Sequence, residues 1–326
     1  MKIASLFSGC GGLDLGFENA GFSIVFANDN WKELCTTFEK NHGIKLDNRS
    51  IKDIPSNEIP QVDGIIGGPP CQSWSLAGAM RGIKDKRGKL FYEYVRVIKD
   101  KQPLFFVAEN VPGIISKSHI PEFKKIIEKL SNLNYNVNYE ILDARDFGVP
   151  QERKRVIIVG YHKRTGKIFD FDELEKKDKE QYVTLKESIG DLPNSTPAKE
   201  KNYANQSLNV PNHEHMNGGF SFIYMSRNRR KNWNEQSFTI QAGGRHAPLH
   251  PDSSEMYKVS KNVWKFKGKN QKVRRLSVRE CARIQTFPDN FIFHYNNVTN
   301  GYKMIGNAVP VKLAEAIAQK IRKDLF

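Results

Sequence analysis

The sequence predicts an α/β protein: a mostly parallel sheet with helices on both faces, of the Rossmann-like kind, plus a smaller irregular domain. Three observations carry this. Strand-like and helix-like segments alternate over roughly the first 160 residues, as in a sheet built from crossover connections. The first apolar run enters a glycine-rich turn, Gly9-Cys10-Gly11-Gly12, and the second ends at a carboxylate, Asp29, 20 residues after Gly9. Beyond about residue 165 the alternation stops, and 202–272 is rich in Asn, Ser, Gly and His.

Taken in order, Lys2–Phe7 is a short apolar strand running into the glycine turn, and its apolar stretch is too short for a signal peptide. Leu13–Ala20 has helical spacing, Ser23–Asn28 reads as the second strand, and Trp31–Asn41 as the next helix. Gly64–Ile66 is an apolar run followed closely by Pro69-Pro70, so a buried strand gives way to a stiff, extended turn. Phe91–Lys99 and Ile120–Leu133 are helical in spacing, while Leu104–Glu109, Asn136–Leu142 and Arg155–Tyr161 are strands. The charged stretch from Lys163 to about Lys201 suggests a boundary near residue 165. Helix returns at Val278–Gln285 and at Pro310–Leu325, where proline suits the first helical position. The expected division is therefore 1–165 with 302–326 as one domain and 166–301 as a recognition domain and hinge.

Composition narrows the function classes. With 39% hydrophobic and 27% charged residues the 326-residue chain is ordinary for a globular protein, and no apolar run approaches the ~20 residues that span a bilayer. No membrane association and a cytoplasmic location are expected. Cys10, Cys35, Cys71 and Cys281 are far apart and form no C-x-x-C pair, which argues against a zinc site or a disulfide framework. The irregularly spaced His213, His215, His246 and His250 do not suggest a metal either. A net charge of +15 suggests a polyanionic partner. From Arg227 to Arg279 there are 14 Lys or Arg against 3 Asp or Glu, a net of +11, so this segment is the candidate nucleic-acid face. A solvated charged surface is the plain alternative on composition alone.

Chemistry concentrates at strand ends. Cys71 lies in Pro69-Pro70-Cys71-Gln72-Ser73-Trp74-Ser75, just past an apolar strand, where an open α/β sheet presents its ligand crevice. Read alone, it is an ordinary buried hydrophobe. The glycine turn with Asp29 has the architecture of a nucleoside crevice, although Asp14 stands where the dinucleotide fingerprint has its third glycine. S-adenosylmethionine, a nucleoside without a pyrophosphate, tolerates that difference. Glu109 finishes an apolar strand, where burial favours the neutral carboxyl and makes it a hydrogen-bond donor; a salt-bridged or capping Glu is the plain alternative. Arg153 and Arg155 share one side if their segment is extended, either as grips for an oxygen or as structural ion pairs.

Six motifs in order resemble the DNA cytosine-C5 methyltransferases along nearly the whole chain: the Phe7–Phe17 turn, Pro69-Pro70-Cys71-Gln72, Glu109-Asn110-Val111, Gln151-x-Arg153-x-Arg155, Arg275–Pro288, and Gly306-Asn307-Ala308-Val309-Pro310. The resemblance implies that Cys71 adds to C6 of a cytosine flipped out of duplex DNA. The activated C5 then takes the methyl group of S-adenosylmethionine, leaving S-adenosylhomocysteine. It further implies that Glu109 donates to N3, that Arg153 holds O2, and that Asn110 and Arg155 order the pocket. Cofactor contacts are implied for Phe7, Gly9, Gly11, Gly12, Leu13, Asp29, Asn30, Ser50, Pro69, Leu90, Asn307 and Ala308. The family usually carries Glu where this chain has Asp29, a shorter carboxylate that should keep ribose binding, and often has an aromatic at 30 and an Asp near 50, so the adenine contacts at those two positions are in doubt and a somewhat weak cofactor affinity is expected.

Within the family, Met225–Arg229, Trp233-Asn234-Glu235, Gln241–Arg245 and Leu249-His250-Pro251 resemble the HaeIII-type enzymes that methylate the inner cytosine of GGCC. Arg227, Arg229 and Arg245 are then the expected guanine readers, with Gln72, Ser73 and Ser75 also on DNA. The implied protein is a monomer acting on double-stranded DNA, paired in function with a restriction endonuclease but not in a stable complex. The rival readings are a tRNA cytosine-C5 methyltransferase and a silent DNA-binding homologue.

Overall fold

The computed structural model describes residues 1–70, 90–205, 207–268 and 272–326. In chain order the elements are β1 (Lys2–Leu6), α1 (Gly12–Asn19), β2 (Ser23–Asn28), α2 (Cys35–His42), β3 (Leu46–Asp47), β4 (Gly64–Gly67), α3 (Leu90–Lys101), β5 (Phe105–Asn110), α4 (Ile120–Ser131), β6 (Tyr135–Asp143) and β7 (Lys154–His162). They continue with α5 (Leu185–Ile189), β8 (Thr196–Pro197), β9 (Glu214–His215), β10 (Met256–Ser260), β11 (Val263–Phe266), α6 (Val278–Ile284), α7 (Val298–Asn307) and α8 (Val311–Leu325). The chain divides into two compact units. The first comprises Met1–Asp143, Lys154–Lys176 and Val311–Phe326, the second Ala144–Arg153 and Lys177–Pro310.

The first unit is built on a seven-stranded sheet in the order β3-β2-β1-β4-β5-β7-β6. Pairing is parallel from β3 to β5, whereas β7 runs antiparallel to both β5 and β6. Residues of β5 alternate between two covered faces, as the period of a strand requires. Phe106 and Ala108 enter the cluster formed with Phe91, Tyr94 and Ile98 of α3 and Phe123 and Ile126 of α4. Phe105, pointing the other way, stacks on Phe17 of α1 at 6.2 Å between ring centres. Helix α1 in turn packs on α8, where a Cβ on Gly16 would lie 2.4 Å from the Ala314 Cβ, so only glycine allows that approach. Successive strands move outward from β1 to β2 and β3, then return to β4 on the other side. The crevice beyond the carboxyl ends of β1 and β4 is therefore the topological switch point at which such sheets bind ligands.

The second unit is mostly irregular, with the pairs β8·β9 and β10·β11, the short helices α5 and α6, and α7. Buried Tyr224, Ile240, Leu249, Leu276, Cys281 and Tyr302 form part of its core. Several features depart from the sequence expectation. Segment 163–176 stays with the sheet, because the Asn136 and Asn138 amides on β6 donate to the Lys167 and Phe169 carbonyls at 3.0 and 2.7 Å. Residues 144–153 belong instead to the second unit, as do 302–310. Helix α7 was not expected from its sequence, which places Thr299, Asn300 and Gly301 in the first turn, all poor helix formers. Its start is fixed by Asn297, whose side chain accepts from the Thr299 N–H at 3.0 Å.

Candidate active site and recognition surface

At the end of β1 the chain turns sharply. Phe7, Gly9 and Gly11 all have positive φ (55°, 59° and 90°), conformations that glycine adopts at no cost and phenylalanine does not. The turn is held from the neighbouring strand: the Asp29 carboxylate accepts from the Gly9 N–H at 3.0 Å and from the Trp31 N–H at 2.9 Å. A Cβ on Gly9 would meet nothing within 4 Å, so this glycine faces open space rather than protein. An open glycine backbone beside a carboxylate at the switch point suits a nucleoside: the turn offers close backbone approach and Asp29 offers acceptors for hydroxyls. Asn30 is exposed, and the Ser50 hydroxyl is spent capping a short turn by accepting from the Lys52 N–H at 3.4 Å. Pro69 is buried, and Leu90 starts α3 partly buried against the core.

The ends of β4 and β5 bring the next groups together. Asn110 is buried; its amide donates to the Pro69 carbonyl at 3.1 Å and its oxygen accepts from the Val111 N–H at 3.0 Å. It thereby pins the proline segment that leads to Cys71. Cys71 itself, with Gln72, Ser73 and Ser75, lies outside the described residues. Glu109 pairs with Arg155, Oε1 to Nε at 2.7 Å, with both side chains nearly buried. The antiparallel register explains the contact, since Glu109 stands opposite Ile157 and Arg155 is two residues away on the same face. Glu109 is therefore not an isolated carboxyl in an apolar setting, as its strand-end position suggested. It faces a guanidinium, and a Cβ added to Gly68 would sit 3.6 Å from its Oε2.

Arg153 does not take the role expected for it. It is 1% exposed, and its guanidinium donates to the carbonyls of Ile240, Gly306 and Ala308 at 2.8–3.0 Å. A group so engaged has no bidentate face left for a pyrimidine oxygen. Gln151 extends the network: its Oε1 accepts from the Ile240 N–H and its Nε2 donates to Gln285 Oε1 at 2.6 Å, while Gln285 donates to the Ile305 carbonyl at 2.8 Å. Gly306 presses on the Gln241 backbone, where a Cβ would lie at 2.3 Å. Three sequence motifs, Gln151-x-Arg153, Gln285 and Gly306-Asn307-Ala308, thus interlock as one buried scaffold of the second unit. Asn307 remains exposed, and Ala308 is buried within the scaffold.

The three expected guanine readers separate. Arg227 and Arg245 are exposed. Arg229 is 5% exposed; its Nε and Nη2 donate to the Tyr224 and Ile223 carbonyls at 2.8 and 3.2 Å, and its guanidinium lies 4.7 Å from the Tyr224 ring centre. Arg275, which sequence reasoning noted only as part of a motif, supports the same loop. It donates to the Gly218 and Gly219 carbonyls and stacks over Phe220 at 4.4 Å and Tyr224 at 5.1 Å. Beyond these anchors Phe222 and Ile223 stand exposed. Arg227, Arg229, Gln241 and His246 line a cavity of ≈ 240 Å³. Burial, reinforced by Arg229 and Arg227, holds the His246 ring below the usual histidine range, so it presents a neutral donor–acceptor pair there.

The remaining described cysteines are unsuited to nucleophilic work. Burial pushes the Cys10, Cys35 and Cys281 thiols up, with Asp14 adding to the effect at Cys10. Among the described residues no group of three or more His, Cys, Asp or Glu is placed to hold a metal ion, and no helix is long and apolar enough to cross a membrane.

Known proteins place this arrangement. The model of the C-5 cytosine-specific DNA methylase family matches residues 1–323. Among the curated relatives, the Type II methyltransferase M.MthTI of Methanothermobacter thermautotrophicus is 60% identical over 328 residues, covering 100% of this chain and 98% of that protein. M.FnuDI of Fusobacterium nucleatum is 52% identical (100% and 95%), and M.NgoPII of Neisseria gonorrhoeae 50% (100% and 96%). In fold, the chain is similar to the Entamoeba histolytica methyltransferase EhMeth (TM-score 0.73, 17% identity, 100% and 99% covered) and to S. pombe Dnmt2 (TM-score 0.70, 18% identity, 100% of both). From its first strand to its last helix, the chain belongs to the C-5 cytosine-specific DNA methylases, S-adenosylmethionine-dependent DNA (cytosine-5-)-methyltransferases of the Type II restriction-modification kind.

Proposed function

We propose that Cys71 attacks C6 of a cytosine flipped out of duplex DNA, and that the site read is GGCC with the inner cytosine modified. The observation that carries the chemistry is the Glu109–Arg155 pair at the ends of β5 and β7, beside the strand end from which the Cys71 segment departs. Addition of a thiolate at C6 pushes electrons toward C5 and builds negative charge on N3 and O2. Glu109 would donate at N3 as that charge builds; Arg155, oriented by Glu109, takes the O2 contact first expected of Arg153. S-adenosylmethionine supplies a sulfonium methyl group for C5 to attack. Loss of the C5 proton and elimination of the thiolate then release the methylated base. Gly9, Gly11, Gly12 and Leu13 would approach the cofactor through the turn, with Phe7, Asp29, Pro69, Leu90, Asn307 and Ala308 as further contacts.

For sequence reading, exposed Arg227 and Arg245 retain free guanidinium faces suited to guanine, whereas Arg229 fixes the loop that presents its neighbours. The HaeIII-like motifs support GGCC as the site, and a matching endonuclease as functional partner of a monomeric enzyme. Duplex GGCC DNA carrying 5-fluorocytosine tests the chemistry, because the missing C5 proton blocks elimination and leaves a covalent complex on denaturing gels. Cys71→Ser should give none; trapping that persists in this variant sinks the mechanism. Plasmid from expressing cells should resist a GGCC-cutting nuclease and remain sensitive to nucleases of other specificity. Ordinary cutting at GGCC rejects the site.

A further inference from the structure

Beneath the glycine turn lies a buried ionic cluster with no part in the chemistry above. His42, the last residue of α2, has no exposed side-chain surface. Its ring stacks on Phe38 at 4.4 Å, and Nδ1 meets Glu18 Oε2 of α1 at 2.7 Å. The backbone of Cys10, in the turn itself, favours the charged form of the same ring. Nε2 sits where a Cβ on Gly11 would fall, 1.9 Å away, so the turn rests directly on the imidazole. Asp14, in the first turn of α1, is 0% exposed and acts electrostatically on the ring. The charged groups acting on His42 are thus Asp14 and Glu18, both from α1.

A carboxylate only accepts, so Glu18 takes an N–H from Nδ1, and its charge together with that of Asp14 favours the imidazolium. Its place at the end of α2 favours that cation further. We propose that His42 is a positioning residue for cofactor binding: its buried imidazolium, held by Glu18 and Asp14, fixes the Gly9–Gly12 turn in the shape that receives S-adenosylmethionine. Loss of the proton removes the charge that Glu18 and Asp14 hold and loosens the ring between the turn and α1. This inference rests on the reading of that turn as the cofactor crevice. Partner charge raises the His42 pKa above its ordinary 6.5 despite burial, so the stability this cluster contributes is fully present below 6.5 and is lost as pH rises through that raised value.

Calorimetric Kd values for S-adenosylhomocysteine, taken from pH 6.5 to 9 on the full-length wild type, His42→Gln and Glu18→Gln, test it. Binding by the wild type should weaken toward alkaline pH. His42→Gln should bind roughly tenfold more weakly at pH 7, as for loss of a hydrogen bond to a charged group, with a flattened pH profile and unchanged affinity for duplex DNA. Glu18→Gln should move the alkaline limb to lower pH. A His42→Gln protein matching the wild type in affinity and pH profile overturns the proposal; so does an unmoved limb in Glu18→Gln, which decides the matter if His42→Gln does not fold. A wild type that binds no S-adenosylhomocysteine at any pH overturns instead the cofactor reading beneath it.

Discussion

Two arginines separated by a single residue do different work here, and only the structure tells them apart. Arg155 pairs with Glu109 at the strand ends; Arg153 is consumed by three carbonyls. Arg155→Ala is expected to lower kcat roughly 10²- to 10³-fold, as for removal of one donor to developing charge, with little change in the urea midpoint. Arg153→Ala should instead lose about 3 kcal/mol or more of unfolding free energy, because three buried acceptors are left unpaired. Equal effects of the two on stability would contradict this assignment. Asp14 gives a pH signature of its own: burial pushes its carboxyl up to about 6 from 3.8, offset only in part by His42 and Ser5. Because the folded protein holds this proton more tightly, stability present below about pH 3.8 declines as pH rises through 6. Urea titrations should show the difference between Asp14→Asn and the wild type shifting in favour of the variant between those values, then levelling. The motif residues were legible as residues. Which of them touch substrate was not, since hydrogen bonds such as that from Arg153 to Gly306 span 153 positions.

At the scale of elements, strands and long helices were readable because burial imposes a period on their sequence. Strand β2 was predicted at its observed bounds, Ser23–Asn28, and the other central strands differ by a residue or so at either end. Helix α7 and the two-residue β3 were missed, since the first begins with weak helix formers and the second is too short to show alternation. Close approaches between elements are equally hidden. Gly16 looks like any helical glycine, yet α1 lies on α8 only because it has no side chain. Gly16→Ala should destabilise the protein by about 1–3 kcal/mol, the usual cost of overpacking, despite alanine being the better helix former. Chemical denaturation measures this directly, and a stabilised variant would contradict the packing described.

For the whole molecule, composition indicated a polyanionic partner, and the arginine-rich segment fell within the second unit. Arg245→Ala is expected to weaken binding to target duplex by about 1–3 kcal/mol and to narrow the gap between target and non-target DNA, as for a lost base contact. If affinity for both duplexes falls equally, Arg245 contacts phosphate instead. The division between the units was placed wrongly by charge and pattern because ten residues, 144–153, leave the sheet between β6 and β7 and return to it. That excursion bears on inheritance. A new specificity acquired by exchanging only the stretch after Lys177 would separate Gln151 and Arg153 from the Ile240 and Gly306 backbone they evolved with. A recombinant meant to fold must therefore take residues 144–153 from the same parent as that stretch, so the junction for trading recognition between relatives belongs before Ala144 and not at Lys177.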